Sequence, residues 1–283
     1  MNIKTIGVVG AGTMGTGIAH LAAMSGYDVI LRDIDMAFID RSIKNMDRLM
    51  SRSVEKGKMT EDARQATLAR IKATTELEDL ASADFVIEVV LEKMDLKREV
   101  FQALDRICRP EVILSTNTSS MSITEIAATT SRPDKVCGMH FFNPAQIMRL
   151  CEIIRGIKSS DETIATATEL ARAFGKTTVE VKKDSPGFIV NRIMIPQNVE
   201  AARLLQEGVA SVEDIDTAIK LGLNYPMGPF ELMDFTGVDI NHAVMEYFAD
   251  EFRDSQYGAP QIIKQMVRAG KLGKKSGEGF YKY

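Results

Sequence analysis

The 283-residue chain has no tryptophan, three histidines, three cysteines and a formal charge of −4 at pH 7. Each scarcity excludes something. Cys108, Cys137 and Cys151 are odd in number, lie 29 and 14 residues apart and form no C-x-x-C pair, so neither a disulfide scaffold nor a thiolate zinc site is expected. Free thiols suit a reducing compartment, which makes a cytoplasmic protein the expectation. So small a charge gives no global field for a polyanion, so no nucleic-acid partner is expected and any anion must be held by a local basic patch. No apolar run reaches the ~18 residues of a membrane span. Met1-Asn2-Ile3-Lys4 leads directly into Ile6-Gly7-Val8-Val9 without the parts of a signal peptide. No membrane partner is expected either.

What is present fits a globular protein of one large and one small domain: 45% of residues are hydrophobic and 26% charged, enough for a core without staples. Short β-rich runs alternate with helical patterns through the first 184 residues, at 3–9, 28–33, 84–90, 112–115, 135–139, 149–154 and 177–181. That alternation predicts an α/β fold with a Rossmann-type, doubly wound, mainly parallel sheet. After Asp184-Ser185-Pro186-Gly187 helical periodicity takes over, as in Val212, Ile215, Ile219 and Leu223. The boundary is therefore placed between residues 1–185 and an all-helical 186–283.

Gly10-Ala11-Gly12-Thr13-Met14-Gly15 follows the first strand and opens a helix. In that context Gly10 permits the tight turn, Gly12 lets backbone approach a pyrophosphate, and Gly15 allows close helix–strand packing. The helix N-terminus supplies N–H groups for the phosphates. Asp33, 23 residues past Gly10, ends the second strand, where a carboxylate would accept from both adenosine ribose hydroxyls; this favours NAD over NADP, with Arg32 as the feature that keeps NADP as an alternative.

Of the histidines, His20 lies in the first helix and His242 in an amphipathic run, whereas His140 ends a strand at the carboxyl edge of the sheet. It is read as an acid–base candidate or, alternatively, as a strand-capping core residue. Glu152 interrupts the apolar run Leu150–Ile154, and a carboxylate there needs a partner; an imidazole would serve, although an exposed edge-strand glutamate would need none. Ser115–Ser120 follows another strand at the same edge, as a polar ligand-binding turn or a plain helix cap. Pro186–Arg192 is read as a helix start that Pro196 interrupts, placing Asn191 just before a kink.

These segments together resemble the L-3-hydroxyacyl-CoA dehydrogenases. The likeness is carried by Gly10–Gly15, Glu92, Asn117–Ser120, His140-Phe141-Phe142-Asn143-Pro144, Glu152, Pro186–Arg192, Tyr225–Leu232 and Gly273–Tyr281, and it spans the chain. The resemblance implies oxidation and reduction of a 3-hydroxybutyryl-CoA/acetoacetyl-CoA pair with NAD. It implies that His140 is the acid–base, Glu152 its partner, and Ser119 and Asn191 ligands of the reacting oxygen. It also implies Glu92, Lys97, Asn117 and Asn143 near the cofactor.

Arg41, Lys44, Arg48, Arg52 and Lys56 recur at helical spacing. A solvated face is the reading for Arg41 and Lys44, while Arg52 and Lys56 are expected to hold the phosphorylated tail of an acyl-CoA thioester. Two alternatives remain: a dehydrogenase of a free hydroxy acid, and a non-catalytic NAD-binding structural protein of the lambda-crystallin type. A homodimer or higher homo-oligomer is expected, with Met194, Met227, Met233 and Met245 as core or interface, and no metal.

Overall fold

The computed structural model describes residues 3–283. The chain divides into two compact units, one ending at Ser185 and one comprising Pro186–Tyr283. In the first unit the elements are β1 (Thr5–Val9), α1 (Thr13–Met24), β2 (Asp28–Arg32), α2 (Met36–Glu55), α3 (Glu61–Ala69), β3 (Ile71–Thr74), β4 (Phe85–Glu88), α4 (Met94–Ile107), β5 (Ile113–Thr116), α5 (Ile123–Ala127), β6 (Val136–Phe141), β7 (Leu150–Arg155), α6 (Asp161–Ala173) and β8 (Thr177–Val181). Their strands form one sheet in the order β3-β2-β1-β4-β5-β6-β7-β8, parallel except between β6 and β7. Central strands are apolar in continuous runs because both faces are covered; Val8, Val9, Phe85, Val86, Ile87 and Leu114 are fully buried. The short edge strand β3, Ile71-Lys72-Ala73-Thr74, was not expected from the sequence, since four residues including a lysine carry almost no strand signal.

The chain leaves β1 toward β2 and β3, then returns to the other side of β1 with β4. This reversal opens a crevice at the carboxyl ends of β1 and β4, where open α/β sheets bind ligands. The antiparallel β6–β7 pair sets His140 directly opposite Glu152. Lys176, at the start of β8, is almost wholly buried and donates to the carbonyls of Ala145 (2.5 Å) and Met148 (2.8 Å), which holds the loop joining the two strands.

The second unit contains α7 (Val190–Gln206), α8 (Val212–Gly222), α9 (Pro229–Thr236), α10 (Val238–Phe252) and α11 (Gln261–Arg268). Its core includes Val199, Phe230, Phe248, Ile263, Met233 and Met245, so the last two are core residues rather than surface ones. Asp216 accepts from Phe230 N and Glu231 N, capping α9, and from the Tyr281 hydroxyl. Asp234 accepts from Phe280 N and Tyr281 N and so pins the C-terminal segment. Pro196 does not interrupt its helix. α7 begins only at Val190 and runs through the proline to Gln206, because one lost backbone bond is tolerated within 17 residues. The irregularity lies before it, at Gly187 (φ 74°) and Phe188 (φ 53°).

Within the first unit, burial pushes the Cys108 and Cys137 thiols up to about 11 and about 12, so they are protonated at neutral pH. His20, on the buried side of α1, has no hydrogen-bond partner at either ring nitrogen, and burial lowers its pKa from 6.5. A histidine whose folded-state value is depressed gives stability that is complete above its unfolded value and is lost as pH falls through it. The melting temperature should therefore fall between pH 7 and pH 5, and fall less in His20→Leu. Parallel declines in the two proteins, followed by circular dichroism, would assign the acid sensitivity to other groups.

Candidate active site

The turn after β1 shows why it needs glycine. Gly10 has φ 114°, and a Cβ there would lie 2.6 Å from the Val89 carbonyl oxygen; a Cβ on Gly15 would lie 1.8 Å from the Gly10 oxygen. Gly12 differs: it is the N-cap of α1, no side chain caps the helix, and nothing lies within 4 Å of where its Cβ would be. The result is an open, amide-lined cradle that a side chain would fill, and its N–H groups and helix dipole suit a pyrophosphate. Beside it, Gly10, Gly12, Asp33, Ile34, Val90 and Leu96 are among the residues that line a cleft of about 370 Å³. The residues present therefore fit a dinucleotide.

Asp33 is already engaged within the fold. Its Oδ2 accepts from Ala11 N at 2.6 Å and its Oδ1 from Ile34 N at 2.7 Å, so the carboxylate braces the glycine turn as well as facing the cleft. Arg32 donates through Nε to the Thr75 carbonyl at 3.1 Å and, like Asp33, lines that cleft.

At the other end of the sheet edge, His140 Nδ1 lies 2.7 Å from Glu152 Oε2, with the two side chains 6% and 0% exposed. An ionised carboxylate only accepts, so Nδ1 carries the proton and Nε2 is the nitrogen that can take up or release one. The His140 ring also stands 4.5 Å from the Phe142 ring.

Between these two ends lies the turn after β5. Asn117 donates through its backbone N to Glu88 O (2.9 Å) and accepts through Oδ1 from Phe141 N (2.8 Å), tying the turn to the strand that carries His140. Glu92 Oε1 accepts from the Thr118 hydroxyl (2.5 Å), Ser119 N (2.9 Å) and the Ser119 hydroxyl (3.3 Å). Lys97 is 1% exposed, and its ammonium lies 3.3 Å from Glu92 and 2.9 Å from Glu88. Of the residues the resemblance put near a cofactor, Lys97 thus sits behind Glu92, and Asn143 is exposed in the β6–β7 loop. Glu88 was missed in the sequence, although it is a carboxylate inside the apolar run Phe85–Val90, the same signal that singled out Glu152.

The basic stripe lies on α2, with Lys56 at its C-cap; all five cations are exposed, and Met46 and Met50 are buried on the opposite side. A second cleft, about 670 Å³, is lined by Gly12, Thr13, Arg41, Lys44 and Arg48, among others. Arg52 and Lys56 are not among its lining residues; they lie about 6 and 12 Å farther along the helix axis than Arg48. Asn191 belongs to the second unit, in the first turn of α7. Among the described residues no group of histidine, cysteine and acidic side chains could hold a metal ion, and no helix is long and apolar enough to cross a membrane.

Replacing Asp33 with Ser should narrow the preference for NADH over NADPH, since the repulsion toward a 2′-phosphate goes. It should also raise KM for NADH, since the brace on Ala11 N goes with it. Steady-state kinetics with both cofactors check this; a wild-type preference for NADPH would contradict it.

Comparison with known proteins gives a consistent result over the whole chain. Residues 5–185 match the model of the 3-hydroxyacyl-CoA dehydrogenase NAD binding domain, and residues 187–283 that of the 3-hydroxyacyl-CoA dehydrogenase C-terminal domain. The chain is 47% identical to a probable 3-hydroxybutyryl-CoA dehydrogenase of Bacillus subtilis, over 100% of this chain and 98% of that one. It is 45% identical to a 3-hydroxybutyryl-CoA dehydrogenase of Clostridioides difficile, over 98% and 99%. Among solved structures, (S)-3-hydroxybutyryl-CoA dehydrogenase from Ralstonia eutropha superposes with a TM-score of 0.96 at 45% identity, covering 100% of this chain and 99% of that one. With both domain models matched in order and relatives aligned end to end, the chain belongs to the 3-hydroxyacyl-CoA dehydrogenase family.

Proposed function

We propose that the protein interconverts (S)-3-hydroxybutyryl-CoA and acetoacetyl-CoA with NAD(H). The observation that carries this is the buried 2.7 Å contact between His140 Nδ1 and Glu152, at the same sheet edge as a glycine cradle fit for a dinucleotide. It is supported by the names of full-length relatives at 40–47% identity. Bound NAD supplies the acceptor for the hydride leaving C3. His140 Nε2 takes the hydroxyl proton in the oxidative direction and returns it in the other, while Glu152 holds the ring and offsets the charge of the imidazolium. Ser119 and Asn191 act as donors to the reacting oxygen, where negative charge develops.

In this reading residues 1–185 bind the cofactor, through Gly10, Gly12, Thr13, Met14, Gly15 and Asp33, with Glu92, Lys97, Asn117 and Asn143 nearby. Residues 186–283 serve substrate binding and dimerisation, in a cytoplasmic homodimer. The coenzyme A phosphates run along α2. Arg52 and Lys56 were the expected contacts, and the cleft at Arg41, Lys44 and Arg48 extends the cationic track toward α1. A free hydroxy acid would have no use for that track, and a structural protein none for a buried His–Glu pair.

Loss of NADH absorbance should follow addition of acetoacetyl-CoA and be far slower with free acetoacetate; equal rates would contradict the thioester reading. His140→Gln should keep NADH binding and lower kcat by about 10²–10⁴-fold, and activity within a few-fold of wild type would remove the dyad from the chemistry. Changing Arg52 and Lys56 together to Ala should raise KM for acetoacetyl-CoA more at low salt than at high, and less for a pantetheine thioester lacking the phosphates. The same test on Arg41 and Arg48 shows how far the track extends. Unchanged KM in both double variants would make the stripe a solvated face.

A further inference from the structure

We propose that Glu88 is a positioning residue for Ser119, acting through Lys97 and Glu92. This rests on the function proposed above and adds a residue to which neither the sequence motifs nor the acid–base pair gives a part. Glu88 closes β4 and is wholly buried. Its carboxylate is saturated by three donors: Val90 N at 2.7 Å, the Thr116 hydroxyl at 2.7 Å and the Lys97 ammonium at 2.9 and 3.2 Å. A buried ammonium is stable only beside a negative charge, and Glu88 supplies one that cannot turn away to solvent.

Lys97 then presents the rest of its charge to Glu92 Oε2 at 3.3 Å. Glu92 is 39% exposed and on its own would sample rotamers in water. Held by Lys97 from one side, it keeps Oε1 on the Thr118 hydroxyl and on Ser119 N, which fixes the backbone carrying the Ser119 hydroxyl; that hydroxyl has one proton and turns it away from Glu92 (3.3 Å) to donate to the reacting oxygen. Glu88 also accepts from Asn117 N through its backbone oxygen. One buried residue therefore fixes the turn at its base through its main chain and at its tip through two side chains.

Without the Glu88 charge, the ammonium draws Glu92 inward as its sole carboxylate partner. Oε1 then leaves Ser119 N, the turn that presents the Ser119 hydroxyl to the reacting oxygen loses its position, and catalysis suffers through geometry rather than through binding.

The test is Glu88→Gln, alone and combined with Ser119→Ala, assayed with acetoacetyl-CoA and NADH. Alone it should lower kcat by about 10–100-fold with a smaller change in KM, a misplacement effect. In the Ser119→Ala background it should lower kcat by less than about 2-fold, because the group it positions is absent. Equal fold-losses in the two backgrounds would overturn the proposal while leaving the functional reading intact; a wild type inert toward acetoacetyl-CoA would overturn the functional reading itself. Should Glu88→Gln fail to fold, Glu88→Gln with Lys97→Met removes both buried charges. The proposal then requires a melting temperature near that of wild type with kcat still depressed. Recovery of kcat along with the fold would reduce Glu88 to a structural role.

Discussion

A carboxylate with no exposure to water must have a partner, and in this chain the partner of Glu152 is the Nδ1–H of His140. Much of the sheet edge serves that contact. The pair exists because β7 runs antiparallel to β6 in a register that places the two residues opposite each other, the one antiparallel pairing of strands among the described residues. The loop between them is held by Lys176, and the strand end beyond His140 is held by the Asn117 amide on Phe141 N. Each restraint limits the direction in which Nε2 faces.

The same edge contains a second buried ionic device of opposite design. In the His140–Glu152 pair the carboxylate orients an imidazole; in the Glu88–Lys97–Glu92 series a buried ammonium orients a carboxylate, which in turn holds a turn of backbone. Asn117 joins the two, since its backbone reaches Glu88 and its side chain reaches the strand of His140. The cations of α2 are different again. They are exposed, so their pull on an anion is local and weakened by salt, in a chain whose net charge is −4.

The parts that the sequence made legible are those with a strong local constraint. Gly10 and Gly15 cannot carry a Cβ without striking backbone, and the helix beginning at Thr13 follows directly. The switch from strands to helices near Ser185 shows in periodicity. Glu152 stands out because its neighbours are apolar, and Glu88 meets the same criterion. Long-range partners were not legible. Asp33 bracing Ala11 N, Arg32 tied to Thr75 and Lys97 placed behind Glu92 depend on which strand ends adjoin, a property of sheet order. Pro196 misled because a proline costs one bond, and a helix of 17 residues retains enough of the others.

The central claim is that Glu152 holds His140 as the Nδ1–H tautomer, so that Nε2 is the atom that exchanges protons with substrate. With only three histidines in the chain, selective ¹⁵N labelling and long-range ¹H–¹⁵N correlation can resolve each ring. The account predicts that neutral His140 carries its proton on Nδ1, and that this preference weakens or is lost in Glu152→Gln. A neutral His140 protonated on Nε2, or a tautomer indifferent to residue 152, would contradict it.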